Sequence, residues 1–148
     1  MSENSSHAEI FCIGLNHESA PVSIRERMSI SESELSEKCS LITNEEGFLE
    51  SVIVSTCNRI EIYCVADKKY EGDLEKCFKF VFKSNDFSNL DYYKYKGKEV
   101  LNHLCRVGCG LDSMVLGETE IFGQLKKAYS IAQSSGNTSK ILNRLFQV

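Results

Sequence analysis

Hydrophobic and polar positions divide the chain into short runs of two kinds. Apolar runs at Ile10–Asn16, Glu50–Thr56 and Ile60–Val65 predict three strands, because each run is short and flanked by polar residues. The tyrosines within Tyr92–Tyr95 predict a fourth strand. Apolar residues at helical spacing predict helices at about Ile24–Met28, Ser31–Thr43, Glu71–Lys83, Lys98–Val107 and Glu118–Ser134, and from Ser139 onward.

Local sequence signals mark the start of one helix and the turn between two strands. Ser31, followed three residues later by Glu34, matches a capping box at the start of a helix. The segment Cys57-Asn58-Arg59 separates two strand patterns, and Asn tolerates the left-handed backbone conformation that short hairpin loops use. We therefore expect the second and third strands to form a hairpin with Cys57 in its turn.

The order of the predicted elements is β-α-β-β-α-β, followed by further helices. This order predicts an α+β protein with a ferredoxin-like, split βαβ arrangement, in which helices pack on one face of an antiparallel sheet and additional helices finish the chain. A length of 148 residues suits one domain. We expect a disordered leader over residues 1–8 and one compact domain over 9–148, with the chain cut at a domain edge, since the last helical pattern runs to Val148.

Composition and charge exclude several classes of protein. A hydrophobic content of 42% and a single proline exclude a disordered chain. A membrane span is not expected, because the apolar runs are far shorter than the ~20 residues that a span needs. Residues 1–93 carry 9 Lys and Arg against 17 Asp and Glu, and residues 94–148 carry 8 against 4. The chain is too acidic for a dedicated nucleic-acid coat, but its basic last third fits either a local nucleic-acid contact or a solvated surface.

Seven cysteines indicate reduced thiols rather than a disulfide or zinc scaffold. Their number is odd, no secretory signal precedes them and none forms a Cys-x-x-Cys pair. Cys57 is the strongest candidate nucleophile, because a turn at the end of a strand exposes the sulfur and the nearby cation of Arg59 favours a thiolate. The alternative is a buried, inert thiol.

The helix Lys98–Val107 carries a second candidate, His103. It falls at the edge of the apolar stripe, where a histidine either assists a nearby thiol as a proton donor or is an ordinary edge residue. A metal site with Cys105 is not expected, because residues two apart on a helix do not face each other. Gly108-Cys109-Gly110 begins like a dinucleotide-binding motif, but Ser113 stands at its third glycine and a helix precedes it, so we expect no nucleotide site in this chain.

Three blocks of residues resemble the glutamyl-tRNA reductase family. The first is Gly14-Leu15-Asn16-His17-Glu18-Ser19-Ala20-Pro21-Val22 with Arg25-Glu26. The second is Ser55-Thr56-Cys57-Asn58-Arg59 with Glu61. The third extends from His103-Leu104 through Gly110-Leu111-Asp112-Ser113-Met114-Val115-Leu116-Gly117-Glu118 to Gly123-Gln124-Leu125-Lys126. The blocks occur in order over most of the chain, which therefore resembles the N-terminal catalytic domain of that family.

The resemblance implies an NADPH-dependent oxidoreductase of tetrapyrrole (porphyrin and heme) biosynthesis. Such enzymes reduce glutamyl-tRNA to glutamate-1-semialdehyde through a cysteine thioester. The resemblance also implies NADPH-binding and dimerisation domains outside this chain, no metal, a homodimer of the full-length protein and a contact with a downstream pathway enzyme. It implies a cytoplasmic location without membrane attachment, or the plastid stroma if the source is a plant.

The same resemblance assigns residues to the site. It makes Cys57 the nucleophile, places His103 near it, and gives the substrate's side-chain carboxylate to Arg59, whose guanidinium suits bidentate binding. Five further positions match residues that bind the substrate. The resemblance implies that Thr56 and Ser113 hold the glutamyl group, and it assigns no role to Asn16, Glu61 and Gln124. Glu120 and Phe122 depart from the family pattern beside Gln124.

Three functions are compatible with these residues. In the first, the isolated domain forms the thioester and at most hydrolyses it, acting as a glutamyl-tRNA esterase. In the second, the domain is a non-catalytic module of the same fold that binds tRNA or a protein partner. In the third, it is a cysteine-dependent acyltransferase or hydrolase that acts on a small thioester.

Overall fold

Four strands form one antiparallel sheet in the computed structural model, which describes residues 7–82, 90–108 and 120–147. The strands are β1 (Ala8–Asn16), β2 (Phe48–Ser55), β3 (Arg59–Asp67) and β4 (Tyr93–Lys96). Their order across the sheet is β2-β3-β1-β4, with every neighbouring pair antiparallel. This is the strand order of the split βαβ arrangement, so the predicted α+β, ferredoxin-like fold is confirmed.

Six α-helices accompany the sheet in the described ranges. They are α1 (Val22–Met28), α2 (Glu32–Thr43), α3 (Leu74–Phe82), α4 (Lys98–Gly108), α5 (Glu120–Ser134) and α6 (Lys140–Phe146). The capping box of Ser31 and Glu34 is present at the start of α2. No helix in these ranges combines the length and the apolar character that spanning a lipid bilayer requires.

Some boundaries differ from those predicted. The helix expected from Glu71 begins at Leu74, because the segment Lys68–Asp73 forms a 3₁₀ helix whose first turn is capped by the Asp67 side chain. Strand β1 begins at Ala8, within the predicted leader, and residues 1–6 of that leader lie outside the described part of the chain. The first two residues of the predicted helix 118–134 also lie outside it.

Helices cover both faces of the sheet, whereas the strand order alone predicts one covered face. On one face, the Ser51 hydroxyl of β2 donates to the Cys39 carbonyl of α2 at 2.9 Å. On the opposite face, the ring of Tyr63 in β3 meets Phe146 of α6 edge-on, with centroids 5.4 Å apart. The C-terminal helices α4 and α6 therefore form a second layer, and β3 is buried from Arg59 through Ala66.

A buried carboxylate attaches α6 to the sheet. Glu50 of β2 is 4% exposed, and its oxygens accept from the backbone N–H groups of Ser139 (2.6 Å), Leu142 (2.9 Å) and Ile141 (3.3 Å). These N–H groups at a helix start have no partner within the helix, and a negative charge there also interacts favourably with the helix dipole. Beside this contact, the Ser51 N–H donates to the Asn137 carbonyl at 2.8 Å, so the connection from α5 to α6 lies along β2.

Replacing Glu50 by Gln tests this attachment. The amide NH₂ group would face backbone N–H donors and the charge would be lost. We expect the free energy of unfolding to fall by about 1.5–3 kcal/mol, the range for hydrogen bonds to a charged group. Urea unfolding measures the change, and Glu37→Gln on the exposed side of α2 is the matched control. Equal stability of the two variants would contradict the attachment.

Candidate active site

The turn between β2 and β3 is held by its own backbone and by Thr56. The Thr56 N–H donates to the Arg59 carbonyl at 2.9 Å. The Thr56 hydroxyl oxygen accepts from the N–H groups of Asn58 and Arg59, both at 3.1 Å. These bonds confirm the predicted hairpin and leave the Cys57 side chain exposed at its tip.

Cys57 lines a cleft of about 390 Å³. The cleft lies between α1, the end of β2 and α5, and Thr56 and Gln124 also line it. The structure therefore brings three of the predicted site residues to one place where a small group can reach the sulfur. The remaining lining residues are Val22, Arg25, Glu26, Ser29, Ile30 and Ser55.

Arg25 of α1 is a residue of this cleft to which the sequence analysis gives no role. Its Nη1 group donates to the carbonyl of Cys57, and its Nε group donates to the carbonyl of Ala20 at 3.1 Å. The side chain is buried, and Arg25 as a whole is 5% exposed. The signal that could have found it is its place in the first resemblance block, directly before Glu26.

Arg59 occupies a different environment from the one its sequence position suggests. It is fully buried, and its Nη1 lies 3.5 Å from Oε2 of Glu61. Residues two apart on a strand point to the same face, so both side chains lie on the face covered by α4 and α6. Arg59 is not among the residues that line the Cys57 cleft.

Glu61 is the centre of a buried hydrogen-bond network. Its Oε1 accepts from the Tyr63 hydroxyl at 2.9 Å, and its Oε2 accepts from the Tyr93 hydroxyl at 2.6 Å and contacts Nε2 of His103 at 2.5 Å. Gly14 provides the space for this network, because a Cβ there would lie 2.8 Å from Cγ of Glu61 and 2.9 Å from the Tyr93 hydroxyl.

His103 belongs to this network and not to the cleft. It is 2% exposed, so it is a core residue rather than the edge residue that the helical pattern predicts. The Tyr95 ring stacks on its imidazole, with centroids 4.6 Å apart. Pairing with Glu61 allows a polar ring to be buried there. The lining of the Cys57 cleft does not include His103.

Electrostatics keep Glu61 ionised. Burial by itself opposes ionisation, but the hydrogen bond and charge of His103, the charge of Arg59 and the hydrogen bond of Tyr93 together lower the pKa of the carboxyl below its usual value. Burial, followed by the Glu61 charge, raises the pKa of Tyr63 and Tyr93. The network therefore consists of one carboxylate with protonated tyrosines as donors.

One group in the described part of the chain has the residue types of a metal site. The candidate ligand atoms of Cys12, Glu61 and His103 lie within 4.8 Å of one another, and all three residues are buried. The Glu61 oxygens already accept from two tyrosine hydroxyls and face the Arg59 guanidinium. These contacts are those of a closed hydrogen-bond network rather than an open cation site.

The other predicted site residues lie apart from the cleft or outside the described residues. Asn16 caps the turn that follows β1, since its Oδ1 accepts from the N–H groups of Glu18 (2.9 Å) and Ser19 (3.2 Å). Ser113 lies outside the described residues. Phe122, one of the two residues that depart from the family pattern, is 57% exposed.

Most of the other described thiols are shielded. Cys12, Cys39 and Cys64 are buried, and burial raises the pKa of Cys39 to about 11. Burial also raises the pKa of the half-buried Cys77 to about 12. Cys105 on α4 is exposed, as Cys57 is. Accessibility therefore separates these two thiols from the other described ones.

Comparison with known proteins gives one consistent result. The family model described as "Glutamyl-tRNAGlu reductase, N-terminal domain" matches residues 13–148. The chain is 44% identical to the glutamyl-tRNA reductase of Listeria welshimeri over 143 residues, which cover 93% of this chain and 32% of that protein. It is also 44% identical to that of Akkermansia muciniphila over 140 residues, covering 92% of this chain and 41% of that protein.

A solved structure agrees with these matches. The glutamyl-tRNA reductase from Methanopyrus kandleri superposes with a TM-score of 0.74 at 27% identity, covering 93% of this chain and 31% of that one. The chain spans about a third of the length of most of the curated relatives it matches.

Thiol accessibility predicts an order of alkylation. With a limiting amount of iodoacetamide, Cys57 and Cys105 should be modified before Cys12, Cys39 and Cys64, because the latter three are buried and burial disfavours the reactive thiolate. Peptide mass spectrometry after a timed quench measures the order. Early modification of any of the three buried cysteines would contradict the described core.

Replacing Glu61 by Gln should destabilise the protein strongly. Glu61→Gln removes the carboxylate of a buried ion pair and with it the countercharge that faces Arg59, so we expect the free energy of unfolding at neutral pH to fall by about 3–5 kcal/mol. Because the folded-state pKa of Glu61 is lowered, its contribution is complete above the unfolded-state value of about 4.3 and is lost as the pH falls toward the folded-state value. The difference between the wild type and the variant should therefore shrink in acid.

Denaturant unfolding at a series of pH values measures this difference. Glu75→Gln is the matched control, because Glu75 pairs with Lys94 at 3.0 Å on the exposed surface. A wild type and a Glu61→Gln variant with the same pH dependence would show that the carboxylate is not the ionised centre of the network.

Proposed function

Because the chain belongs to the glutamyl-tRNA reductase family, as its N-terminal domain, we propose that it takes the glutamyl group from glutamyl-tRNA onto Cys57. The observation that carries this proposal is the exposed thiol at the tip of a fixed turn, in a cleft of about 390 Å³. A thiolate is a strong nucleophile toward an activated ester, and a rigid turn holds it in place for attack.

The proposed step is an acyl transfer. The Cys57 sulfur attacks the carbonyl carbon of the ester that joins glutamate to the tRNA. A carbon–sulfur bond forms, the bond from carbon to the ribose oxygen breaks, and that oxygen takes the proton released by the thiol. The products are a glutamyl thioester on the domain and free tRNA. Water can then hydrolyse the thioester, which releases glutamate and restores the thiol.

Other residues receive proposed roles in the same step. Thr56 and Gln124 are proposed to contact the glutamyl group, which is supported by their position in the lining of the cleft. Arg59 is proposed to bind the side-chain carboxylate; since it is fully buried beside Glu61, the groups that cover it must move before a carboxylate reaches it. Ser113 is proposed as a further contact to the glutamyl group. His103 is also proposed to take part in the catalytic step. Its hydrogen bond with Glu61 connects it to the start of β3, which follows the turn that carries Cys57.

The described residues do not fit NADPH. Dinucleotide-binding folds hold the pyrophosphate at a glycine-rich turn within a parallel βαβ unit, whereas every neighbouring pair of strands here is antiparallel. We propose that NADPH-dependent reduction to glutamate-1-semialdehyde, in tetrapyrrole synthesis, belongs to the longer protein, with the cofactor bound outside these 148 residues.

The partners of the longer protein are also proposals. They are glutamyl-tRNA, a second copy of the protein in a homodimer and a downstream pathway enzyme. The proposed location is the cytoplasm, or the plastid stroma in a plant, which agrees with seven cysteines in a chain where the described thiols are free.

Cys57→Ser tests the acyl transfer. Incubation of the wild-type chain with glutamyl-tRNA should release free glutamate, and acid-quenched protein should carry a glutamyl adduct on Cys57 by mass spectrometry. In the variant, release should fall to the rate without protein and the adduct should be absent. Cys105→Ser is the matched control, because this thiol is also exposed but lies on α4, outside the cleft; it should retain both signals.

Three results would contradict the proposal. Unchanged deacylation by Cys57→Ser would show that the cysteine is not the nucleophile. Binding of glutamyl-tRNA by the wild type without deacylation or adduct would favour the non-catalytic binding module, while turnover of small thioesters without turnover of glutamyl-tRNA would favour the acyltransferase or hydrolase.

A further inference from the structure

We infer that Arg25 is a positioning residue for Cys57 and that its charge makes the cleft selective for anionic groups. The selectivity of the cleft deepens the proposed function and rests on it, since the glutamyl group is the anionic group that the cleft would attract.

Two hydrogen bonds of the guanidinium hold the turn that carries Cys57 against α1. One goes from Nη1 to the carbonyl of Cys57 and the other from Nε to the carbonyl of Ala20, which precedes α1. The side chain thus connects the turn that carries the nucleophile to a segment 32 residues earlier in the chain. The internal bonds of the turn fix its shape, and the Arg25 bond fixes its position against α1.

The hydrogen-bond partners of Arg25 do not neutralise its positive charge. Both acceptors are neutral carbonyls, and within residues 7–82, 90–108 and 120–147 no carboxylate forms an ion pair with this guanidinium. Arg59 differs in this respect, because Glu61 lies 3.5 Å from it. Among the described residues, the charged groups that line the cleft are Arg25, which is 5% exposed, and the exposed Glu26. Arg25 is therefore the described cation that lines the cleft. Its buried guanidinium is hydrogen-bonded to the backbone of the nucleophile, Cys57.

Alkylation of Cys57 by two reagents of nearly equal size tests the charge without any tRNA. Iodoacetate is an anion and iodoacetamide is neutral, so the ratio of their rate constants reports the potential at the sulfur. In Arg25→Gln we expect this ratio to fall about threefold, the effect of one unit charge at ~6 Å in a water-like dielectric. In Arg25→Lys, which keeps the charge, the ratio should stay close to that of the wild type.

Two controls separate this effect from a general change in charge. Arg27→Gln removes the same charge from the same helix, but Arg27 is exposed and does not line the cleft, so its ratio should match the wild type. Cys105 provides an internal reference in every variant, because it is exposed and is not among the residues that line the cleft. Peptide mass spectrometry assigns each rate to its cysteine.

The outcomes are distinguishable. A folded Arg25→Gln variant with an unchanged ratio at Cys57, or equal decreases in Arg25→Gln and Arg27→Gln, would overturn the inference and leave the proposed function intact. Loss of the folded state in both Arg25→Gln and Arg25→Lys would assign Arg25 to the fold alone and would also overturn it. The ratio could also be three times lower in Arg25→Gln while the wild type forms no glutamyl adduct. That result would contradict the proposed function and leave Arg25 as the source of the cleft's positive charge.

Discussion

The buried carboxylate of Glu61 is the interaction on which the arrangement of the site depends. It joins β3 to β4 through Tyr93 and to α4 through His103, and it balances the charge of Arg59 at the start of β3. A buried charge is tolerated only when it is paired and hydrogen-bonded, and here the partners come from β3 itself, from β4 and from α4. Arg59 belongs to this network, and its backbone carbonyl also closes the turn that carries Cys57.

Two arginines therefore serve the same turn in different ways. Arg59 lies beneath it, fully buried, and is tied to a carboxylate; Arg25 lies beside it and is tied to backbone carbonyls. The first is part of the core and the second is part of the cleft wall. The sequence places Arg59 closer to Cys57, whereas the fold places the Arg25 guanidinium on the Cys57 backbone.

The elements and the hairpin could be predicted from the sequence because their causes are local. The capping box at Ser31 and the turn at Asn58 depend on residues within a few positions of each other. The position of His103 could not be predicted in this way, because its burial depends on Glu61, 42 residues earlier. The role of Arg25 was missed for the same reason, since its acceptor lies in a turn brought near it only by tertiary folding.

The second helical layer also could not be inferred from strand order. Side chains alternate along β3, so Glu61 and Tyr63 lie on one face of the sheet and Ile60 and Ile62 on the other. Polar residues such as Glu61 and Tyr63 are typical of a face exposed to solvent. The helices α4 and α6 cover it instead and supply partners for Glu61 and Glu50. Burial of that face is tolerated because both carboxylates are hydrogen-bonded.

The contact between Ser51 and Asn137 has a consequence for how the protein behaves in concentrated solution. Strand β2 is an edge of the sheet, and an open edge is a template for another strand. The connection from α5 to α6 occupies part of that edge and takes up the outward N–H of Ser51. A neighbouring molecule could extend the sheet from β2 only by displacing this connection, so the same contact that packs the C-terminal helices also opposes strand-to-strand aggregation.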